Sequence, residues 1–130
     1  MKTVVEREHY RMSVDPVKNH VLFEAWGDCI DPELFVHFAD DWRTACSHLT
    51  PGFTVLGDYT QVGVFFVKDS FAEGMKVIFE SGVHKCAVFW GKGFLGRFTT
   101  ERAAEMASDE YAARRKSFET RAEAEAWLKS

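Results

Sequence analysis

Gly91-Lys92-Gly93-Phe94-Leu95-Gly96 has the glycine spacing of a dinucleotide-binding turn. In such a turn the glycines permit a tight bend, close approach of backbone to a pyrophosphate, and packing of helix on strand. The segment follows the apolar run Cys86-Ala87-Val88-Phe89-Trp90, which reads as a strand, and precedes a helix-forming stretch, as the motif requires. Against a dinucleotide stand the bulky Phe94 and Leu95 inside the motif. Only residues 97–130 remain for a second mononucleotide-binding half. A plain turn between strand and helix is the simpler reading. A reduced form of the site needs no nucleotide: Lys92 and Arg97, beside the amides of Gly91, Gly93 and Gly96, can hold a phosphate or carboxylate at a helix start.

The other chemistry-bearing residues are dispersed. His37 and Asp41, four apart on an expected helix, form half of a metal site or a base with its orienting carboxylate, but nothing near them in sequence supplies further ligands. A solvated helix face is the simpler account of them. Glu24, Asp28, Asp31 and Glu33 make an acidic stretch in which Asp31 is explained by helix capping, and the remaining histidines are isolated. Nucleophile signatures such as Gly-x-Ser-x-Gly are absent. The expectation is a protein without catalytic residues, metal or cofactor.

A third constellation is a recognition edge. Leu49-Thr50-Pro51-Gly52 is a turn, with Pro51 fixing φ and Gly52 accepting a positive one. Phe53 to Leu56 then reads as a strand stopping at Gly57-Asp58. The following run, Val62 to Val67, is too apolar for a solvated loop, and it is either a buried strand, the lead-in to a helix, or a loop covered by a second subunit or an acyl-bearing ligand. Asp69 or Ser70 can cap the next helix, which carries Phe71, Met75, Ile78 and Phe79 on one side. Asp58, Phe65, Phe66, Asp69, Ser70 and Phe71 are the expected interaction residues.

These positions need elements to hold them. His9 to Val14 and His20 to Trp26 read as a hairpin about the turn Asp15 to Asn19. Asp31-Pro32 starts a helix with Leu34, Phe38, Trp42, Ala45, Cys46 and Leu49 at helical spacing. A second helix runs from about Ser70 to Ser81 and ends at Gly82. The apolar run Cys86 to Trp90 suits a strand buried on both faces, at the centre of the sheet. Thr99 or Thr100 caps a helix that ends near Met106 and resumes at Ser108, followed by a short strand from Lys116 to Glu119. Thr120-Arg121-Ala122-Glu123 is a capping box before a closing helix with Ala124, Trp127 and Leu128. The expected order is ββαβαβαβα in a single α/β domain, with a mostly parallel sheet of about five strands and an antiparallel edge from the hairpin.

Composition narrows the function classes. The 130 residues are 46% hydrophobic and 15% aromatic, with 12 Phe, which gives enough apolar surface for a core. A net charge of −4, with scattered basic residues, excludes a general nucleic-acid binder. No apolar run approaches the roughly 20 residues of a membrane span, and the first eight residues lack a signal-peptide hydrophobic region, so the expected compartment is the cytoplasm. The 3 cysteines form no Cys-x-x-Cys pair and read as small buried hydrophobes.

The hairpin about Asp15 to Asn19, the segment Leu49 to Asp58, the strand Cys86 to Trp90 and the ending Phe118 to Leu128 together resemble the SpoIIAA-like branch of the STAS superfamily. The resemblance implies relation in fold to anti-sigma-factor antagonists and to Sec14-type lipid carriers. Antagonists of that kind carry Asp-Ser-Ser-Gly at a helix start, where a Ser is phosphorylated. Here the place reads Asp69-Ser70-Phe71-Ala72, lacking the second Ser and the Gly. Ser70 as a phosphosite stands beside simple capping. The resemblance implies a regulatory or protein-interaction module, self-associating or bound to a protein partner, with carriage of a small lipid or anionic ligand as the alternative.

Overall fold

Along β3 (His20–Cys29), Val21, Phe23 and Ala25 are buried while Leu22, Glu24 and Trp26 are half-buried, the period of two that places alternate residues on opposite sheet faces. This strand is the hinge of the architecture. The computed structural model describes residues 1–91 and 94–130, and in it β3 pairs antiparallel with β2 (Tyr10–Asp15) and parallel with β4 (Thr54–Phe65). The sheet is completed by β1 (Lys2–Glu6) beside β2, and by β5 (Lys85–Phe89) and β6 (Arg115–Phe118) in parallel beyond β4. Six strands lie in chain order, three antiparallel and then parallel from β3 onward.

Helices cover the two faces unequally. A 3-10 turn (Pro32–Phe35), α1 (Phe38–Cys46), α2 (Asp69–Glu80), α3 (Phe94–Ala107) and α4 (Asp109–Arg114) lie on one face, whose core gathers Phe23, Phe35, Phe38, Trp42, Phe71 and Tyr111. Among the described residues, α5 (Arg121–Leu128) alone lies on the other, where Ala124 meets Leu56, Ala87 and Phe89. Strand β5 therefore buries both faces, Cys86 and Val88 toward the first core and Ala87 and Phe89 toward the second. It stands beside β6, near the edge, and the centre of the sheet is β3 and β4.

Several local rules hold as the residue types dictate. Asp31 accepts the Glu33 amide before Pro32 at 3.0 Å. Gly82, with φ at +93°, ends α2 and accepts the Gly52 amide at 2.7 Å. Ser108 caps α4, and Thr120 accepts the Glu123 amide at the head of α5.

Four expectations are corrected. The sheet has a sixth strand, β1, an edge strand in which only Val5 is buried. The expected first helix is divided into the 3-10 turn and α1. Thr99 and Thr100 lie inside α3, where Thr100 Oγ1 donates to the Arg97 carbonyl at 3.0 Å. Residue Lys68 occupies the cap position of α2, with no side-chain cap bond. Asp69 and Ser70 are its first helical residues, and the Asp69 charge acts on the helix dipole instead.

Candidate functional site

The strand expected to stop at Gly57-Asp58 continues to Phe65, and the apolar run is the far half of β4. Gly57 lies within the strand, paired with Val88, and must be small because a Cβ there would come within 2.9 Å of Val88 and 3.0 Å of Tyr59. Beyond Asp58 the register against β3 slips twice, each time by one extra residue on β4, between Asp58 and Gln61 and between Val62 and Phe65. Both bulges are stitched by aspartates. Asp58 Oδ1 accepts the Thr60 amide at 2.9 Å and the Thr60 hydroxyl at 2.6 Å. Asp28 Oδ1 accepts the Val64 amide at 3.0 Å, with Gly63 leaving room for the carboxylate.

The ladder to β5 ends at the Asp58–Phe89 pair and that to β2 at the Ala25–Tyr10 pair. Residues 61–65 of β4, with 26–29 of β3, therefore extend past both neighbouring strands as a two-stranded parallel ribbon. The bulges alter which side chains face out. Phe65 is only 2% exposed, edge-on to Phe71 at 4.6 Å and near Phe35 and Trp90. Phe71, at 1% exposure, stacks on Phe38 at 4.4 Å. Phe66 is 68% and Val64 42% exposed. Of the six residues expected at the edge, Phe65 and Phe71 are thus core residues, while Phe66 is presented to solvent and Asp58 fixes the first bulge. Sequence reasoning missed Val64, and with it Ile30, Val36 and Phe98, all large, apolar and exposed. Ile30 follows the last residue of β3, and Phe66 donates its amide to the Cys29 carbonyl at 2.9 Å. Val36 follows Phe35, and Phe98 lies one turn into α3, where a Cβ added at Gly96 would stand 3.3 Å from the Phe65 Cβ.

The expected anion site lies only partly within the described residues. The Gly91 amide is engaged, donating to the Glu119 carbonyl at 2.9 Å. Gly96 is small because the Trp90 ring would lie 2.6 Å from a Cβ there. Arg97 pairs with Glu101 at 2.8 Å, and Lys92 and Gly93 lie outside the described residues.

Arg97 instead lines an open cleft of about 340 Å³ between α3 and β6, together with Glu101, Glu105, Arg115, Lys116 and Ser117. Ser117 Oγ donates to the same Glu101 oxygen at 3.1 Å. Arg115 also lines a small cavity on its inner side, with Trp42, Tyr59, Cys86 and Tyr111. Tyr111 donates to the Cys86 sulfur at 3.6 Å. Burial raises the pKa of Tyr59, Tyr111 and Cys86, which keeps all three neutral at physiological pH.

No family model matches the chain, and no curated protein or solved structure shows a significant similarity to it. The geometry alone therefore bears on function. Among the described residues no three His, Cys, Asp or Glu side chains come together to hold a metal ion, and no helix is long and apolar enough to cross a membrane. His37 is exposed, whereas Asp41 is 5% exposed and turned to the core rather than to a solvated face. It accepts Arg7 through both oxygens at 2.9 and 3.0 Å and Tyr10 at 2.5 Å, tying α1 to the antiparallel edge of the sheet. That carboxylate is structural.

Proposed function

We propose that the chain is a non-catalytic, STAS-like interaction module of the SpoIIAA-like kind, and that it self-associates through the projecting end of β3 and β4. The carrying observation is the exposure of Phe66 and Val64 on a ribbon whose β4 edge meets no strand past Asp58 among the described residues. Exposed apolar side chains beside unpaired strand backbone form a surface that a second copy covers by adding strand to strand. Ile30 and Val36, at the neighbouring end of β3 and the turn after it, widen that surface. The element order from β2 onward, ββαβαβ followed by helices, a strand and a final helix, supports the likeness read from the sequence. Free Cys29, Cys46 and Cys86 suit a reducing compartment such as the cytoplasm.

Sedimentation equilibrium on wild type and on the Val64→Ser, Phe66→Ser double variant tests the proposal. Both side chains are exposed, so the variant keeps its fold and melting temperature. Wild type sediments as a dimer and the variant as a monomer. A monomeric wild type at hundreds of micromolar, or a variant of unchanged mass, contradicts the reading.

A further inference from the structure

The sheet face that carries α5 is only half covered. Among the described residues α5 packs on β4, β5 and β6, and no helix lies over β1 to β3 on that side. At the boundary is an open cleft of about 420 Å³, floored by Leu22 and Leu56, with Leu128 and Lys129 on one wall and Asp15 and Lys18 of the hairpin turn on the other. That volume falls in the range of small-molecule sites, roughly 300–1,000 Å³. Strand register makes the floor amphipathic. His20 pairs with Thr54 and Leu22 with Leu56 across β3 and β4, so a polar pair and a leucine pair stand two residues apart on one face. His20 Nδ1 lies 2.7 Å from Thr54 Oγ1, which fixes the ring. Burial lowers the His20 pKa below its ordinary value, so at physiological pH the imidazole is neutral and offers a hydrogen bond rather than a charge.

The charges around the cleft are unequally matched. Arg121 and Glu125 pair at 2.7 Å, and Asp15 Oδ1 accepts the Lys18 amide at 3.2 Å. Lys85 donates to the Trp127 and Ser130 carbonyls at the C-terminal end of α5. The ammonium groups of Lys18 and Lys129, by contrast, make no hydrogen bond or ion pair among the described residues. We propose that this cleft binds a small amphipathic monocarboxylate, a short-chain or single-ring acid whose apolar body lies on Leu22, Leu56 and Leu128 and whose carboxylate meets Lys18 and Lys129. A phosphate would use the lysines and leave the leucine floor bare, and a neutral hydrocarbon would do the reverse. An amphipathic acid uses both. The cleft lies at the opposite end of β3 from the projecting ribbon and is independent of self-association there.

The test is an amide NMR titration of the full chain with sodium hexanoate at fixed pH and ionic strength. Saturating shifts centred on Lys18, His20, Leu22, Thr54, Leu56 and Lys129 are the expected result, with hexan-1-ol and sodium acetate each binding several-fold more weakly. The Lys18→Glu, Lys129→Glu variant reverses two exposed charges, keeps its fold and binds hexanoate several-fold more weakly. Should that reversal disturb the spectrum of the unliganded protein, Lys18→Gln, Lys129→Gln takes its place with the same expected loss. Shifts that do not saturate, or that centre on the β3–β4 end, overturn the proposal. So does unchanged affinity in the variant, or hexan-1-ol binding as tightly as hexanoate. Inorganic phosphate matching hexanoate in both shifts and affinity would reduce the cleft to a cationic rim and overturn it as well.

Discussion

The Asp28 carboxylate accepts the Val64 amide at 3.0 Å and so holds the last bulge of β4 against β3. This bond shapes the surface that carries Val64 and Phe66. Asp28→Ala is expected to cost about 1 kcal/mol, the net value of an exposed hydrogen bond, and to speed exchange of the Val64 amide. Gly63→Ala should cost a similar amount by another route, since its Cβ would lie 2.3 Å from Asp28 Oδ1 and drive the carboxylate away. Both changes break the same bond, so the double variant should be little less stable than either single one. Additive losses in a denaturation series would show that Gly63 acts independently.

Gly74 sits within α2, where alanine gains about 1 kcal/mol in helix propensity. Packing opposes that gain. A Cβ at residue 74 would stand 2.2 Å from Phe38 Cδ2 and 3.0 Å from Trp42 Cδ1, in a core where overpacking costs about 1–3 kcal/mol. Gly74→Ala is therefore expected to destabilise the protein in urea titration. A stabilised variant would mean that Phe38 relaxes freely.

All 3 tyrosines, Tyr10, Tyr59 and Tyr111, are buried, and burial is the leading cause that lifts each hydroxyl above its ordinary value. Above the unfolded-state value near pH 10, the unfolded chain has lost protons that the native chain still holds. Stability is thus full below about pH 10 and falls as pH rises beyond it. The phenolate absorbance at 295 nm should appear together with loss of near-ultraviolet circular dichroism. Phenolate appearing while the fold is intact would contradict the burial.

Trp127 is half-buried, against Phe118 at 5.8 Å and under the Lys85 ammonium at 5.0 Å. Trp127→Ala should cost about 2 kcal/mol, less than the roughly 3–5 kcal/mol of a fully buried tryptophan. Lys85 also bonds the Trp127 and Ser130 carbonyls, at 3.1 and 2.8 Å, so α5 should stay docked in the variant. An unmoved melting temperature would show that the ring contributes nothing to docking.

What the sequence made legible was whatever depends on neighbours along the chain. The Thr120 box, the Asp31-Pro32 start, the Ser108 restart, the Gly82 end and the two-faced burial of Cys86 to Phe89 follow from local residue types. Gly57-Asp58 misled because both are turn formers. Their place in a strand is set by Val88 on the neighbouring strand and by a bulge at Thr60. Strand β1 buries only Val5, too little to leave a period-two signature. Phe65 and Phe66 looked alike as neighbours in an apolar run, and only the bulge beside Asp28 decides which turns inward. Arg115 lies in the run Arg114-Arg115-Lys116, in which no local rule marks one side chain for the interior. Its inward turn arises where α4 passes directly into β6.

Self-association at the β3–β4 end is tested most directly by amide NMR spectra recorded over a concentration series. The predicted result is a set of saturating shifts confined to Ile30, Val36, Thr60 to Phe66 and the first turns of α3, absent in the Val64→Ser, Phe66→Ser variant. Spectra that do not change with concentration, or shifts centred on α5 and the opposite sheet face, would contradict it.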